Sequence, residues 1–430
     1  MRTINVAVLG LGTVGQGVVK VLREHEAVWP QKCGARIEVK KALEKYPDRP
    51  LDIEFPADAI VSDWKEVVDD PEIDVVVEVI GGIEPARTFI LDALKHGKNV
   101  ATANKDLLAV HGQEILNAAE AAGKDFFFEA SVGGAIPIIG PLRQSLIASD
   151  IQHIIGIVNG TTNYILTRMA SEGVRFDDAL KDAQALGYAE VDPTADVDGI
   201  DAARKVAIMA TLAFHSKVTL KDVYMEGIKE ITPEDIKFAA KMGYAVKLLG
   251  ICREEDQQIE ARVHPALIPS DHPLASVNHT FNAIFVKGDA VDETMFYGRG
   301  AGRMPTASAI AGDVVEISRN ILADCCGRIK SSSRGSAKAI RTIANVNTKF
   351  FLRMVLEDKP GVLAQVSKVF GEKEVSIAMV LQTNRDGDGA ELVVITHKVR
   401  EGNLWDALHV IEKMPITKKI ITVLRVEGEE

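Results

Sequence analysis

The chain is 430 residues long, 47% hydrophobic and 26% charged, with a formal net charge of −11 at pH 7. That length predicts two or three domains with their own cores, and the acidic balance argues against nucleic acid or an anionic membrane as partner. No apolar segment reaches transmembrane length without charges, and a strand pattern that begins at residue 3 or 4 leaves no room for a secretory leader. Cys33, Cys252, Cys325 and Cys326 show neither zinc nor redox spacing, as expected of a soluble cytoplasmic protein.

The first element is a β-branched strand, Ile4–Leu9, that runs into Gly10-Leu11-Gly12-Thr13-Val14-Gly15 and then a helical stretch, Gln16 to Glu26. Strand, G-x-G-x-x-G and helix in that order form a dinucleotide site. Gly10 makes the turn, Gly12 admits a pyrophosphate, Gly15 lets helix and strand touch, and the helix N-terminus faces the phosphates. Further strands are expected at Arg36–Leu43, Val75–Val79, Asn99–Thr102 and Phe126–Glu129, alternating with helical stretches. This is the pattern of a doubly wound parallel sheet over residues 1–135, whose strand ends would gather Gly81-Gly82, Thr102–Lys105 and Ala130–Ala135 around the glycine loop.

The region 136–300 mixes helices and strands and reads as an α+β substrate-binding and dimerisation domain. Within it, Gly187-Tyr188-Ala189-Glu190-Val191-Asp192-Pro193 precedes Asp198-Gly199-Ile200-Asp201, and Lys205 follows Asp201 by four residues. Asp201 and Lys205 therefore share one helix face. One reading is a solvated ion pair worth a few tenths of a kcal/mol. The other is a functional pair, because Ala202, Ala203, Val206, Ala207, Ile208, Met209 and Ala210 predict a helix buried nearly all round. A calcium-loop reading of the acidic run fails, since its first and twelfth positions would be Thr194 and Lys205.

A glycine-rich stretch, Gly298 to Arg303, leads into a helical pattern from Pro305 to about Leu322, and the segment from about 300 to 327 is expected to return and cover the first sheet. Residues 328–349 have the composition of a linker. From about 350 the order is βαββαβ: strand Phe351–Leu356, helix Gly361–Phe370, strand Val375–Leu381, turn Arg385–Gly389, strand Ala390–Thr396, helix Asn403–Lys413 and strand Lys419–Arg425. That order describes a ferredoxin-like sandwich.

Taken together, Gly10-x-Gly12-x-x-Gly15, Asn104-Lys105-Asp106, Asn159-Gly160-Thr161-Thr162-Asn163, Gly187-Tyr188-x-Glu190-x-Asp192-Pro193, Asp198-Gly199-x-Asp201-x-x-x-Lys205 and Gly298-x-Gly300-Ala301-Gly302-x-x-Pro305-Thr306 resemble the homoserine dehydrogenase family. The match runs from residue 1 to about 325, and the tail from 350 to 430 resembles an ACT domain. The resemblance implies NAD(P)-dependent interconversion of L-homoserine and L-aspartate 4-semialdehyde, a step towards threonine and methionine. It implies Lys205 as the proton donor and acceptor at the substrate oxygen, with Lys105 near the nicotinamide. Glu190 and Asp201 would hold the substrate, and Gly187 and Gly302 would line the cofactor. Glu129 with the backbone oxygens of Val132, Gly134 and Ile136 would hold sodium or another monovalent cation. L-threonine is the effector implied for the ACT domain, and a homodimer or homotetramer the implied assembly.

The second strand carries Lys40 and Lys41 near the position where NAD sites place an acid. This favours NADP, with NAD as the alternative. A dehydrogenase of the phosphoglycerate dehydrogenase type would need a histidine paired with a carboxylate, and His153, His215, His264 and His272 lie in no such motif. A non-catalytic NAD(P)-binding amino-acid sensor would have no use for Asp201 and Lys205 on an apolar helix.

Overall fold

The structure, a computed structural model, describes residues 1–330, 337–385 and 389–428. It comprises two compact units that interleave along the chain. The first contains Met1–Ile154, Arg204–Val223 and Asn282–Lys338, the second Ile155–Ala203, Tyr224–Phe281 and Ala339–Glu430.

In the first unit β1 (Thr3–Leu9), β2 (Arg36–Leu43), β3 (Ile60–Val61), β4 (Val75–Glu78), β5 (Asn99–Thr102) and β6 (Phe126–Phe127) form a parallel sheet in the order β3-β2-β1-β4-β5-β6. The strand order reverses between β1 and β4, which places a ligand crevice beyond their carboxyl ends. Every residue of β4 and β5 is buried, as a parallel sheet covered on both faces requires. Val6, Val8, Val75 and Val77 share one core with Val18 and Leu22 of α1 (Thr13–Glu24) and with Ala307, Ile310 and Val314 of the returning helix Arg303–Leu322. A Cβ on Gly17 would lie 3.1 Å from the Ala307 Cβ and from the Arg303 carbonyl, so α1 and the returning helix meet almost backbone to backbone.

Strand β6 is shorter than the expected Phe126–Glu129, because Glu129–Ser131 turns into a 3-10 helix and sends the Glu129 carboxylate to the N–H groups of residues 138–140. Strand Asp292–Arg299 belongs to this unit, where the Arg299 carbonyl accepts the Ala135 N–H at 3.2 Å.

In the second unit strands Tyr244–Glu255 and Gln258–Pro269 form a long hairpin. Its two-residue turn, Asp256-Gln257, has φ of 52° and 60°, the left-handed pair whose twist suits a tight hairpin. Strand Thr417–Val426 adds to it in parallel (Ala266 opposite Arg425), followed by Asn347–Leu356, Gly389–Thr396 and Ile377–Arg385. The last four strands, with helices Val362–Glu372 and Glu401–Glu412, make the βαββαβ sandwich. Phe350, Leu352 and Met354 point to the helices and pack with Val366, Phe370, Leu404 and Leu408.

The stretch 328–349 is only partly a tether. Ala339–Ile340 pairs with Gln258–Ile259, and Arg341 forms ion pairs with Glu255 and with the buried Glu260. Residues 331–336 of that stretch, and residues 386–388 of the expected Arg385–Gly389 turn, lie outside the described residues.

A Cβ on Gly15 would fall 1.9 Å from the Gly10 carbonyl oxygen. Gly15→Ala is therefore expected to cost about 2–4 kcal/mol of stability, read as a lower urea midpoint with an unchanged slope.

Candidate functional site

At the carboxyl edge of the first sheet, Gly10 turns the chain with φ of 94° and donates its N–H to the Leu43 carbonyl at 2.8 Å. The next N–H, on the buried Leu11, donates to the Glu44 carboxylate at 2.9 Å. Among the described residues, a Cβ on Gly12 would meet nothing within 4 Å and no side chain caps α1. Thr13, Val14 and Gly15 thus open a helix whose positive end faces unobstructed space, the arrangement that receives a pyrophosphate.

The same edge carries Glu78, fully buried at the end of β4. One of its oxygens accepts the Ile80 and Gly81 N–H groups at 2.8 and 3.1 Å, the other the Thr102 hydroxyl at 2.7 Å. The Thr102 oxygen in turn accepts the Asn104 N–H. Asn104 caps helix Lys105–Ala122 through the Leu107 N–H and ties it to the Gly82 carbonyl. Lys105 is the first residue of that helix and is partly buried. Arg204, the neighbour of Lys205, pairs with Asp106 at 3.1 Å, which draws the two lysine-bearing helices together.

The loop after β6 is built around Glu129. Its carboxylate accepts the N–H groups of Ile138, Ile139 and Gly140 at 2.6, 2.8 and 2.6 Å, and its own N–H donates to Asp313 of the returning helix at 2.9 Å. Burial pushes the Asp313 carboxyl well above the usual range, and the Glu129 charge adds to this. Burial also holds the Arg143 guanidinium down to about 10, stacked on Phe127 and Phe128. A Cβ on Gly134 would lie 2.7 Å from the Gly300 carbonyl, so this loop and the Gly298–Arg303 loop pack by bare backbone. Gly302 ends the latter loop with φ of 124°, where the returning helix begins beside α1.

The residues present suit a monovalent cation. Three backbone donors leave one of the four lone-pair sites of the Glu129 carboxylate. Among the described residues no backbone N–H donates to the carbonyls of Val132, Gly134 or Ile136. An all-oxygen set of this kind suits a hard cation.

Gly187, Glu190 and Asp201 lie in the second unit. Gly187 has φ of 74° and opens an exposed loop in which Glu190 accepts a hydrogen bond from Gln184 through its carbonyl. Asp201 and Lys205 are each 7% exposed, one turn apart on helix Ile200–Ala213, so the solvated-pair reading does not hold. Asn159 organises the ground in front of that helix. Its Nδ2 donates to Asp196 at 2.7 Å and to Asp201 at 2.9 Å, while its Oδ1 caps helix Gly160–Glu172 through the Thr162 N–H.

Lys40 and Lys41 do not reach the crevice. They lie within β2 and bind Asp70, with Glu72 also on Lys40. The acid beyond the strand end is Glu44, already committed to Leu11, and the cations that follow it are Lys45 and Arg49, the latter 3.6 Å from Glu44. Of the histidines, His264 is fully buried beside Arg262, and burial holds it neutral.

Residues 10–129 match the profile of the homoserine dehydrogenase NAD-binding domain, residues 137–315 that of homoserine dehydrogenase, and residues 350–413 that of the ACT domain. The chain is 42% identical to the homoserine dehydrogenase of Bacillus subtilis over 430 residues, covering 100% of this chain and 99% of the relative. It belongs to the homoserine dehydrogenase family. The homoserine dehydrogenase of Corynebacterium glutamicum is 45% identical, with 99% and 96% covered. Among solved structures, a homoserine dehydrogenase from Thiobacillus denitrificans superposes with a TM-score of 0.92 at 41% identity, covering 100% and 99% of the two chains. A hyperthermophilic archaeal homoserine dehydrogenase in complex with NADPH is 27% identical over 74% of this chain and 98% of its own, with a TM-score of 0.62.

Asn159→Asp keeps the helix cap but replaces the amide donor with a third carboxylate. It is expected to lower unfolding stability by about 2–3 kcal/mol at pH 7. Urea titrations of both proteins at pH 7 will measure the loss.

Proposed function

We propose that this chain catalyses the reversible NAD(P)H-dependent reduction of L-aspartate 4-semialdehyde to L-homoserine. The observation that carries the reading is the burial of Asp201 and Lys205, one turn apart on helix Ile200–Ala213, with Asn159 holding Asp201, in a chain related over its full length to homoserine dehydrogenases. When bound, the nicotinamide supplies the hydride to the aldehyde carbon. The chain's own residues then manage charge and protons. Lys205 gives the proton to the carbonyl oxygen as that oxygen gains charge, and Lys105 stabilises the developing alkoxide. Glu190 and Asp201 hold the substrate's ammonium and hydroxyl ends, and the oxidative direction reverses each step. Burial of Asp201 and Lys205 strengthens these interactions by removing water.

Gly10, Leu11, Gly12, Thr13, Val14 and Gly15 cradle the pyrophosphate, with Gly187 and Gly302 along the cofactor. NADP(H) is the preferred cofactor, with NAD the alternative; Lys45 and Arg49 are the cations that meet a 2′-phosphate. Sodium or another monovalent cation binds Glu129 and the carbonyls of Val132, Gly134 and Ile136. The dinucleotide domain covers residues 1–135 with the returning segment 300–327, the substrate domain 136–300, and the ACT domain 350–430, where L-threonine is the effector. Strand Ile377–Arg385 ends its sheet with Met379, Val380 and Leu381 exposed, an edge suited to pairing in a homodimer or homotetramer.

Lys205→Ala is expected to lower turnover of aspartate 4-semialdehyde by about 10²–10⁴-fold while leaving NADPH binding intact, measured by loss of NADPH absorbance and by calorimetry. Survival of activity would move the proton-transfer role to Lys105. Arg49→Ala should raise the KM for NADPH about tenfold and leave that for NADH unchanged, which parallel steady-state assays will show.

A further inference from the structure

We propose that Arg425 and Glu226 are positioning residues for the substrate carboxylate Asp201, so that the C-terminal domain forms part of the scaffold of the substrate site. The inference rests on Asp201 as a substrate-binding group. All of the contacts involved lie within the second unit.

Arg425 sits on strand Thr417–Val426 and is 2% exposed. Its two terminal nitrogens each donate to one oxygen of Glu226 at 3.0 Å, and its Nε donates to Glu401 at 2.9 Å. The guanidinium lies 5.2 Å from the ring of Tyr224, whose hydroxyl also binds Glu226. A two-pronged pair of this kind fixes the carboxylate in orientation as well as position.

Glu226 begins a short segment on which residues 196–201 rest. Its N–H is held by the Val263 carbonyl at 2.8 Å, and the Ile228 N–H donates to the Val197 carbonyl at 2.9 Å. A Cβ on Gly227 would lie 2.3 Å from that same Val197 oxygen, and one on Gly199 would lie 3.2 Å from the Glu226 oxygen. Lys229 adds an ion pair to Asp198 at 2.6 Å. At Gly199 and Gly227 the two segments thus touch backbone to backbone. Helix Ile200–Ala213 starts directly after Gly199, and Asp201 is in its first turn. Displacement of Glu226 is therefore passed to Asp201 through a hydrogen-bonded, close-packed path.

A second buried pair provides the control. Arg353 of the same domain binds Asp235 and Glu391 and is 3% exposed, yet Asp235 caps helix Pro233–Lys241 and makes no hydrogen bond or ion pair to residues 196–201 among the described residues.

The test compares Arg425→Met, Glu226→Gln and Arg353→Met in the full chain. The readouts are hydrogen–deuterium exchange of peptides covering residues 194–203 and 226–230, the KM for homoserine, kcat, and NADPH affinity. Arg425→Met is expected to speed exchange in both peptides and to raise the KM for homoserine about tenfold, with NADPH affinity unchanged. Glu226→Gln, which keeps its volume and one acceptor, should do the same about threefold, and it carries the test if Arg425→Met does not fold. Arg353→Met should lower thermal stability without moving exchange at 194–203 or the KM for homoserine. Unchanged exchange at 194–203 in Arg425→Met and Glu226→Gln, or an equal rise in Arg353→Met, overturns the proposal. A native chain that does not turn over homoserine overturns the assigned reaction instead, and the exchange data still decide the positioning.

Discussion

Backbone N–H groups at the carboxyl edge of the first sheet have to find acceptors, and three carboxylates provide them. Glu44 takes the N–H of Leu11, Glu78 those of Ile80 and Gly81, and Glu129 those of Ile138, Ile139 and Gly140. Each loop is folded around an acid at or just beyond a strand end. A buried N–H left without a partner costs about 1–3 kcal/mol, and an ionised acceptor makes the stronger class of hydrogen bond. The consequence is functional as well as structural. With the loops satisfied from beneath, the N-terminus of α1 carries no side-chain cap and keeps its dipole for an incoming anion.

The returning helix completes this arrangement from the other side. Asp313 accepts the Glu129 N–H, and burial together with the Glu129 charge raises its carboxyl well above the usual range. The loop that bears Val132, Gly134 and Ile136 is thereby clamped between its own acid and a distant helix.

The glycine loop was legible because its signals are local: strand, turn glycines and helix follow one another within 15 residues, and the 1.9 Å approach of a Gly15 Cβ to Gly10 shows why no other residue fits. The βαββαβ tail was legible for the same reason, through alternating strands and amphipathic helices. What escaped was a set of side-chain contacts between residues distant in sequence. Lys40 and Lys41 occupied a plausible position for a 2′-phosphate, but β2 runs on to Leu43 and the two lysines are spent on Asp70. Glu78 reads as the polar end of an apolar strand, and nothing nearby reveals that it faces Thr102. Asn159 was the nearest miss, since an asparagine between a strand and a helix is an N-cap signal, although its second task, holding Asp196 and Asp201, is not written beside it. The interleaving of the two units has no local signature.

The parallel pairing of Thr417–Val426 with Gln258–Pro269 also bears on how the protein is made. The strands of the first sheet all emerge early in synthesis, and contacts between near neighbours in sequence form fast. The second unit is different. Its long hairpin gains its parallel neighbour only after the entire ferredoxin-like segment has been translated, at roughly 5–20 residues per second. Through that interval the Ala266–Leu267 stretch of that edge waits without the partner that will cover it, while Arg262–Val263 is already paired with Tyr224–Met225. The second unit therefore completes its sheet only when its last strand, Thr417–Val426, has been made.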